Sequence, residues 1–183
     1  MASRFAIVNA SGIGAIIGGV KLVAVSIRTG VVRTLADAQR QAMALVADNF
    51  MVCWASANMS GPSVSASKRR GSVQCVSRRG GTETVFPMAM CKPDTIGYTA
   101  VYDLTADSTG LYVADTSGGS CAEYSEVRKL SLSTGVLKKT YDLGGSAGSR
   151  PMLARAGNQL FVQVMEKNGC NHLPDAAIRV LRT

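Results

Sequence analysis

Short runs of β-branched and apolar residues recur along the chain, each closed by Gly, Asp, Asn or Ser, and such runs predict strands. The pattern is clearest from Gly110 to Leu143. There Leu111 to Ala114 and Val127 to Leu132 read as strands, and Ser133-Thr134-Gly135 reads as a tight turn into a third strand, Val136 to Leu143. The stretch is a three-stranded meander.

Imperfect copies of it lie on both sides. Phe5 to Gly12 lines up with Leu111 to Gly118, Val20 to Ser26 with Val127 to Ser133, Thr29-Gly30 with Thr134-Gly135, and Val31 to Leu35 with Leu137 to Tyr141. A looser copy runs from Phe50 to Cys53, through Ser72 to Val76 and a Gly80-Gly81 turn, to Thr82 to Phe86. A last copy holds Leu160 to Val164 and Ala177 to Leu181. Before three copies sits one more segment ending in Ala: Met43 to Ala47, Val101 to Ala106 and Met152 to Ala156. Turn-forming residues join each to the strand that follows, as in a hairpin. The expectation is a single repeat-built β domain with units at about 1–36, 42–89, 100–143 and 151–183, holding three, four, four and three strands.

The order Gly110, Leu111-Tyr112-Val113, loop, Val127-x-Lys129-Leu130, Ser133-Thr134-Gly135, then a Lys-rich strand, resembles blades of quinoprotein-like and surface-layer-like β-propellers. In those families a short polar-Thr-Gly turn joins the third and fourth strands. The resemblance implies an all-β fold of antiparallel four-stranded meanders, about three to four propeller-like blades with two of them incomplete. It carries over no catalytic residue, because propellers host binding, structural and enzymatic roles alike.

Composition fits this plan. Of 183 residues, 46% are hydrophobic and 17% charged, and 19 glycines are spread along the chain, as short strands and tight turns require. The apolar run Phe5 to Ile27 is interrupted by Asn9, Ser11 and Lys21. It reads as two strands joined by a Gly12 to Gly19 loop, not as a secretory leader or a membrane span. Only Thr34 to Val46 has helix-favouring composition, which predicts a helical turn near Ala36 to Gln41 before a strand from Met43.

The net charge is +8, and the excess lies in the first half: residues 1–100 carry 11 basic against 4 acidic residues, and residues 101–183 carry 9 against 8. Lys68, Arg69, Arg70, Arg78 and Arg79 bracket one short strand and are the candidate partner-binding residues, fitting an acidic protein surface. The bland reading is a solvated loop whose like charges keep a sheet edge from pairing. Nucleic acid is disfavoured, because aromatics make up 5% of the chain and none is interleaved with the basic residues as a stacking platform.

The five cysteines, Cys53, Cys75, Cys91, Cys121 and Cys170, lack CxxC spacing, which disfavours zinc. Cys53 and Cys75 read as small buried hydrophobes with reduced thiols, and Cys121 and Cys170 sit in equivalent loops that a disulfide could join. His172 is the only histidine and lies in a polar loop, so it reads as an ordinary loop residue. Asp103, Asp107 and Asp115 flank one hairpin and are weighed as a calcium site against plain turn carboxylates. The Gly-rich stretches lack the helix and Lys of a phosphate loop. No cofactor, metal or catalytic residue is therefore expected, and the chain does not read as an enzyme.

The terminal strands, Arg4 to Val8 and Ala177 to Leu181, are apolar and β-prone with no proline to blunt them. Open edges of that kind call for a neighbouring subunit. The expected function is a structural or assembly subunit of a larger complex, a homo-oligomer or a component beside other subunits, with a phage virion as its setting. The alternative is an oligomeric propeller binding a sugar or receptor, in an extracellular or cytoplasmic setting. Against that alternative, Trp54 is unique, and only Tyr112 and Phe161 occupy comparable strand positions as stacking faces.

Overall fold

Alternating β-branched and apolar residues put every regular element of the described chain in extended backbone. The computed structural model describes residues 5–10, 20–26, 28–39, 42–47, 50–56, 72–88, 98–119, 122–145, 150–166 and 175–183, in which there are strands and no helix. The first sheet is β1 (Phe5–Ala10), β2 (Val20–Ser26) and β3 (Val32–Gln39). The second is β4 (Ala42–Ala47), β5 (Met51–Ser56), β6 (Ser72–Ser77) and β7 (Thr84–Pro87). The third is β8 (Tyr98–Asp107), β9 (Gly110–Gly119), β10 (Ala122–Leu130) and β11 (Leu137–Gly145). The fourth is β12 (Met152–Ala156), β13 (Gln159–Glu166) and β14 (Asp175–Arg182). Each is an antiparallel meander with its strands in chain order. Among the described residues no sheet closes on itself.

Register relates the second, third and fourth sheets position by position. Val52 pairs with Val76, Leu111 with Leu130 and Leu160 with Leu181, one residue past each hairpin. Successive side chains point to opposite faces, so a strand of a middle sheet, such as β5 or β9, serves two cores. From β5, Val52 and Trp54 turn back to Leu22, Ala24, Leu35 and Ala36 of the first sheet. Cys53 and Ala55 turn forward to Val101, Leu104, Leu111 and Val113 of the third. Tyr112 and Ala114 then face Leu160, Val162 and Val164 of the fourth. The four sheets thus stack in sequence order with three cores between them; the second and third sheets approach most closely through β4 and β8, and the third and fourth through β8 and β12. Trp54 is fully buried, and truncating so large a core side chain costs about 3–5 kcal/mol.

The helical turn expected near Ala36 to Gln41 is a strand instead. Residues 32–39 extend β3, with Leu22 paired to Ala36 and Val20 to Gln39, and Arg40 and Gln41 lie outside the described residues. A register shift at Leu22 is the reason. Such a bulge lets two consecutive side chains, Leu35 and Ala36, both enter the core. Pairing and burial outweigh the few tenths of a kcal/mol per residue that propensity favours.

Candidate functional site

The turns that join the last two strands lie at one rim of the stack, and two of them are the same object. In the first sheet Ser26 N–H donates to the Val31 carbonyl and Gly30 N–H to the Ser26 carbonyl, each at 2.8 Å. In the third sheet Ser131 N–H donates to Val136 and Gly135 N–H to Ser131, again at 2.8 Å. Gly30 and Gly135 have φ of 70° and 68°, the left-handed region in which glycine carries no steric cost. The second sheet's turn is built otherwise, with Gly80 N–H on the Ser77 carbonyl at 2.8 Å and Arg79 N–H on Ser77 Oγ at 3.2 Å.

The outermost strand of each of the first three sheets reaches the rim of the next sheet, each by different chemistry. Arg33 of β3 donates its guanidinium to the Arg78 carbonyl. Phe86 of β7 lies over Gly135, so closely that a Cβ there would overlap its ring. Tyr141 of β11 donates its hydroxyl to the Arg182 carbonyl at 3.3 Å.

These contacts gather a basic and apolar rim. Arg33 and Arg79 are exposed and Arg78 is half-buried, while Arg28 is exposed on the first sheet's turn. Beside them stand exposed apolar side chains on or next to the outermost strands: Val31 and Val32, their counterparts Val136 and Leu137, and Val85. Of the five basic residues expected to meet a partner, Arg78 and Arg79 fall here, and Lys68, Arg69 and Arg70 lie outside the described residues. Arg33 is an addition, 45 residues from Arg78. Its signal was the repeat, which sets it just past the Thr29-Gly30 turn.

The third hairpin carries a second polar group. Asp107 is almost buried, with its side chain 6% exposed. Its Oδ1 accepts from Thr109 N–H at 2.7 Å, Thr109 Oγ1 at 2.6 Å and Gly110 N–H at 3.0 Å, and its Oδ2 accepts from the Tyr112 hydroxyl at 3.1 Å. Arg155 of the fourth sheet sits 3.4 Å from the same Oδ2. Burial works to raise the Asp107 pKa, but the Thr109 and Tyr112 hydrogen bonds and the Arg155 charge together hold it below the ordinary value. Lys129, whose Nζ lies 5.1 Å from the Tyr112 ring centroid, is shifted up, chiefly by its interaction with Tyr112, against the opposing effect of burial. Both groups are pushed deeper into their charged forms. That suits a fixed electrostatic tie, whereas proton transfer wants a pKa near the working pH.

The three carboxylates weighed as a calcium site each have separate partners. Asp103 Oδ2 accepts from Leu153 N–H at 2.7 Å, a tie to the fourth sheet like that of Asp107. Asp115 faces the other way and pairs with Arg128 at 2.9 Å, and Glu126 also bonds Arg128. Among the described residues no group of three potential metal ligands occurs. The fourth sheet returns one tie of its own, Arg179 Nη1 to the Leu143 carbonyl at 3.0 Å.

Cys53 and Cys75 are not free thiols but a disulfide. Arg78 N–H donates to the Phe50 carbonyl, which marks that pair as hydrogen-bonded. Alternation along the ladder then makes Cys53 and Cys75 a non-hydrogen-bonded pair, where facing side chains come closest, and their Cα atoms are 4.1 Å apart. The reading as buried residues holds, since both lie in the core between the second and third sheets. Cys91, Cys121, Cys170, His172 and the Gly12 to Gly19 loop lie outside the described residues. No helix among the described residues is long and apolar enough to cross a membrane. Compared with models of protein families and with curated proteins, the chain matches none.

Proposed function

We propose that this chain is a structural or assembly subunit that follows a propeller-type plan and works through protein–protein contacts at its rim. The observation that carries the reading is the repeated exposed pair, Val31–Val32 and Val136–Leu137, on the rim that also holds Arg33, Arg78 and Arg79. Apolar residues with arginines between them are the composition of protein interfaces. Their charge selects an acidic partner surface. The propeller-type plan draws support from the second, third and fourth meanders, which approach each other through their first strands, β4, β8 and β12.

The test is retention of the chain on immobilised poly-glutamate, with poly-adenylate as the nucleic-acid control. The triple variant Arg33→Ser, Arg78→Ser, Arg79→Ser loses salt-sensitive retention on poly-glutamate while its thermal unfolding is nearly unchanged. Tighter retention on poly-adenylate, or a triple variant that binds as the parent does, would overturn the reading.

A further inference from the structure

The hairpin between β8 and β9 gathers positive charge from three strands of two sheets. Lys129 of β10 pairs across the ladder with Tyr112 on one side and Lys139 of β11 on the other, so the two ammonium groups share a face of the third sheet. Residues directly opposite in this way have Cβ atoms about 4.5–5.5 Å apart, and like charges there destabilise a sheet. Lys129 Nζ lies 5.1 Å from the Tyr112 ring centroid, and Lys139 Nζ 4.4 Å from that of Tyr141. Lys138 Nζ donates to the Thr109 carbonyl at 3.0 Å. Arg155 comes in from β12 to Asp107 on the same turn.

Gly110 is what lets Lys129 lie along this hairpin. A Cβ on it would sit 3.2 Å from two carbons of the Lys129 side chain and 2.7 Å from the Leu130 carbonyl oxygen. The lysine stem therefore runs over bare backbone, where a side chain would stand in its way.

Charge here does not balance. Asp107 is the carboxylate of the group, and its ion-pair partner is Arg155. Among the described residues none of the three lysines forms an ion pair. The tyrosines are already committed as well, the Tyr112 hydroxyl to Asp107 and the Tyr141 hydroxyl to the Arg182 carbonyl, and each ring carries an ammonium group. What is left over is positive charge held on a sheet.

We infer that Lys129 and Lys139, with Lys138 at their edge, bind a doubly charged tetrahedral oxyanion, a phosphate or sulfate group. Its two charges offset the two facing ammonium groups, and its several acceptor oxygens turn their repulsion into charge-assisted hydrogen bonds. A single carboxylate would leave one of them uncompensated. The site lies where the third sheet meets the fourth, uses none of Arg33, Arg78 and Arg79, and does not rest on the rim reading.

The test is an NMR titration of amide shifts with inorganic phosphate near neutral pH, at constant ionic strength with chloride as the balancing anion. The amides of Gly110, Lys129 and Lys139 shift saturably, with a dissociation constant of about 1 mM or tighter, and sulfate reproduces the effect. Methyl phosphate that binds as well assigns a group carried on a larger ligand, and methyl phosphate that is excluded assigns the free ion. Lys129→Gln with Lys139→Gln removes the facing charges without removing a core side chain, so the sheet folds, and it weakens phosphate binding about tenfold or more. Lys139→Arg keeps the charge and keeps the binding. The Arg33, Arg78, Arg79 triple variant binds phosphate as the parent does. Shifts no larger than those in chloride alone, tighter binding of succinate than of phosphate, or a double glutamine variant that binds unchanged would each overturn the inference.

Discussion

Alanine at Gly30 and at Gly135 should have very different costs although the two turns share their hydrogen bonds and their φ. Placing a Cβ on a left-handed residue costs about 1–2 kcal/mol on backbone grounds, and that charge falls on both sites. At Gly30 no described atom lies within 4 Å of the added carbon, so the backbone cost is the whole. At Gly135 the new methyl group overlaps the Phe86 ring, which is buried in the core between the second and third sheets. Forcing such a ring aside adds about 1–3 kcal/mol of overpacking, for a total of about 2–5 kcal/mol. Urea unfolding of the two single variants measures both. A third measurement separates the terms: in a Phe86→Ala background Gly135→Ala should fall to the Gly30→Ala value, since the ring is gone. Equal costs at the two glycines in the parent chain would refute the packing of the second sheet on the third turn.

Arg128→Met leaves Asp115 buried beside an apolar side chain and should destabilise by about 3–5 kcal/mol, read from chemical denaturation; replacing Arg128 and Asp115 together by apolar residues should restore most of it. Asp107→Asn should cost about 1–2 kcal/mol near neutral pH, because charge-assisted hydrogen bonds to Thr109 and Tyr112 weaken. Because folding depresses the Asp107 pKa, its stabilisation is fully present above the ordinary value of 3.8 and is lost as pH falls through the lower folded value. Parent and variant unfolding curves should therefore converge in acid. Removing the disulfide by Cys53→Ala with Cys75→Ala opens a loop with a separation of 22 residues and should cost about 3 kcal/mol. Proteolysis without reductant should recover Cys53 and Cys75 in one linked pair of peptides.

The all-β class and the meander pattern were legible because the short apolar runs and the glycine turns are local and recur. Gly30 and Gly135 could be matched on sequence since each needs positive φ and sits after a Thr. The extension of β3 was not legible, because the bulge that buries both Leu35 and Ala36 depends on pairing with β2. Nor was the disulfide: the pairing of Cys53 with Cys75 follows from register between β5 and β6. The ties between the third and fourth sheets escaped for a similar reason. Asp103 and Leu153 are 50 residues apart, and no spacing rule connects a carboxylate to a backbone amide at that distance. Of the candidate surface, Arg78 and Arg79 announced themselves as a run, whereas Arg33 joined them only once the sheets were stacked.

The link between Cys53 and Cys75 also bears on how this chain would behave under tension. A pull on its two ends can peel β7 from β6, but the second sheet's central hairpin is bridged covalently, and force passes through the sulfur atoms instead of through the strands. The residues between them, which would extend by roughly 75 Å if released, are shielded from the load. In a mechanical unfolding trace the second sheet would lengthen in a smaller step than the third until reductant is added.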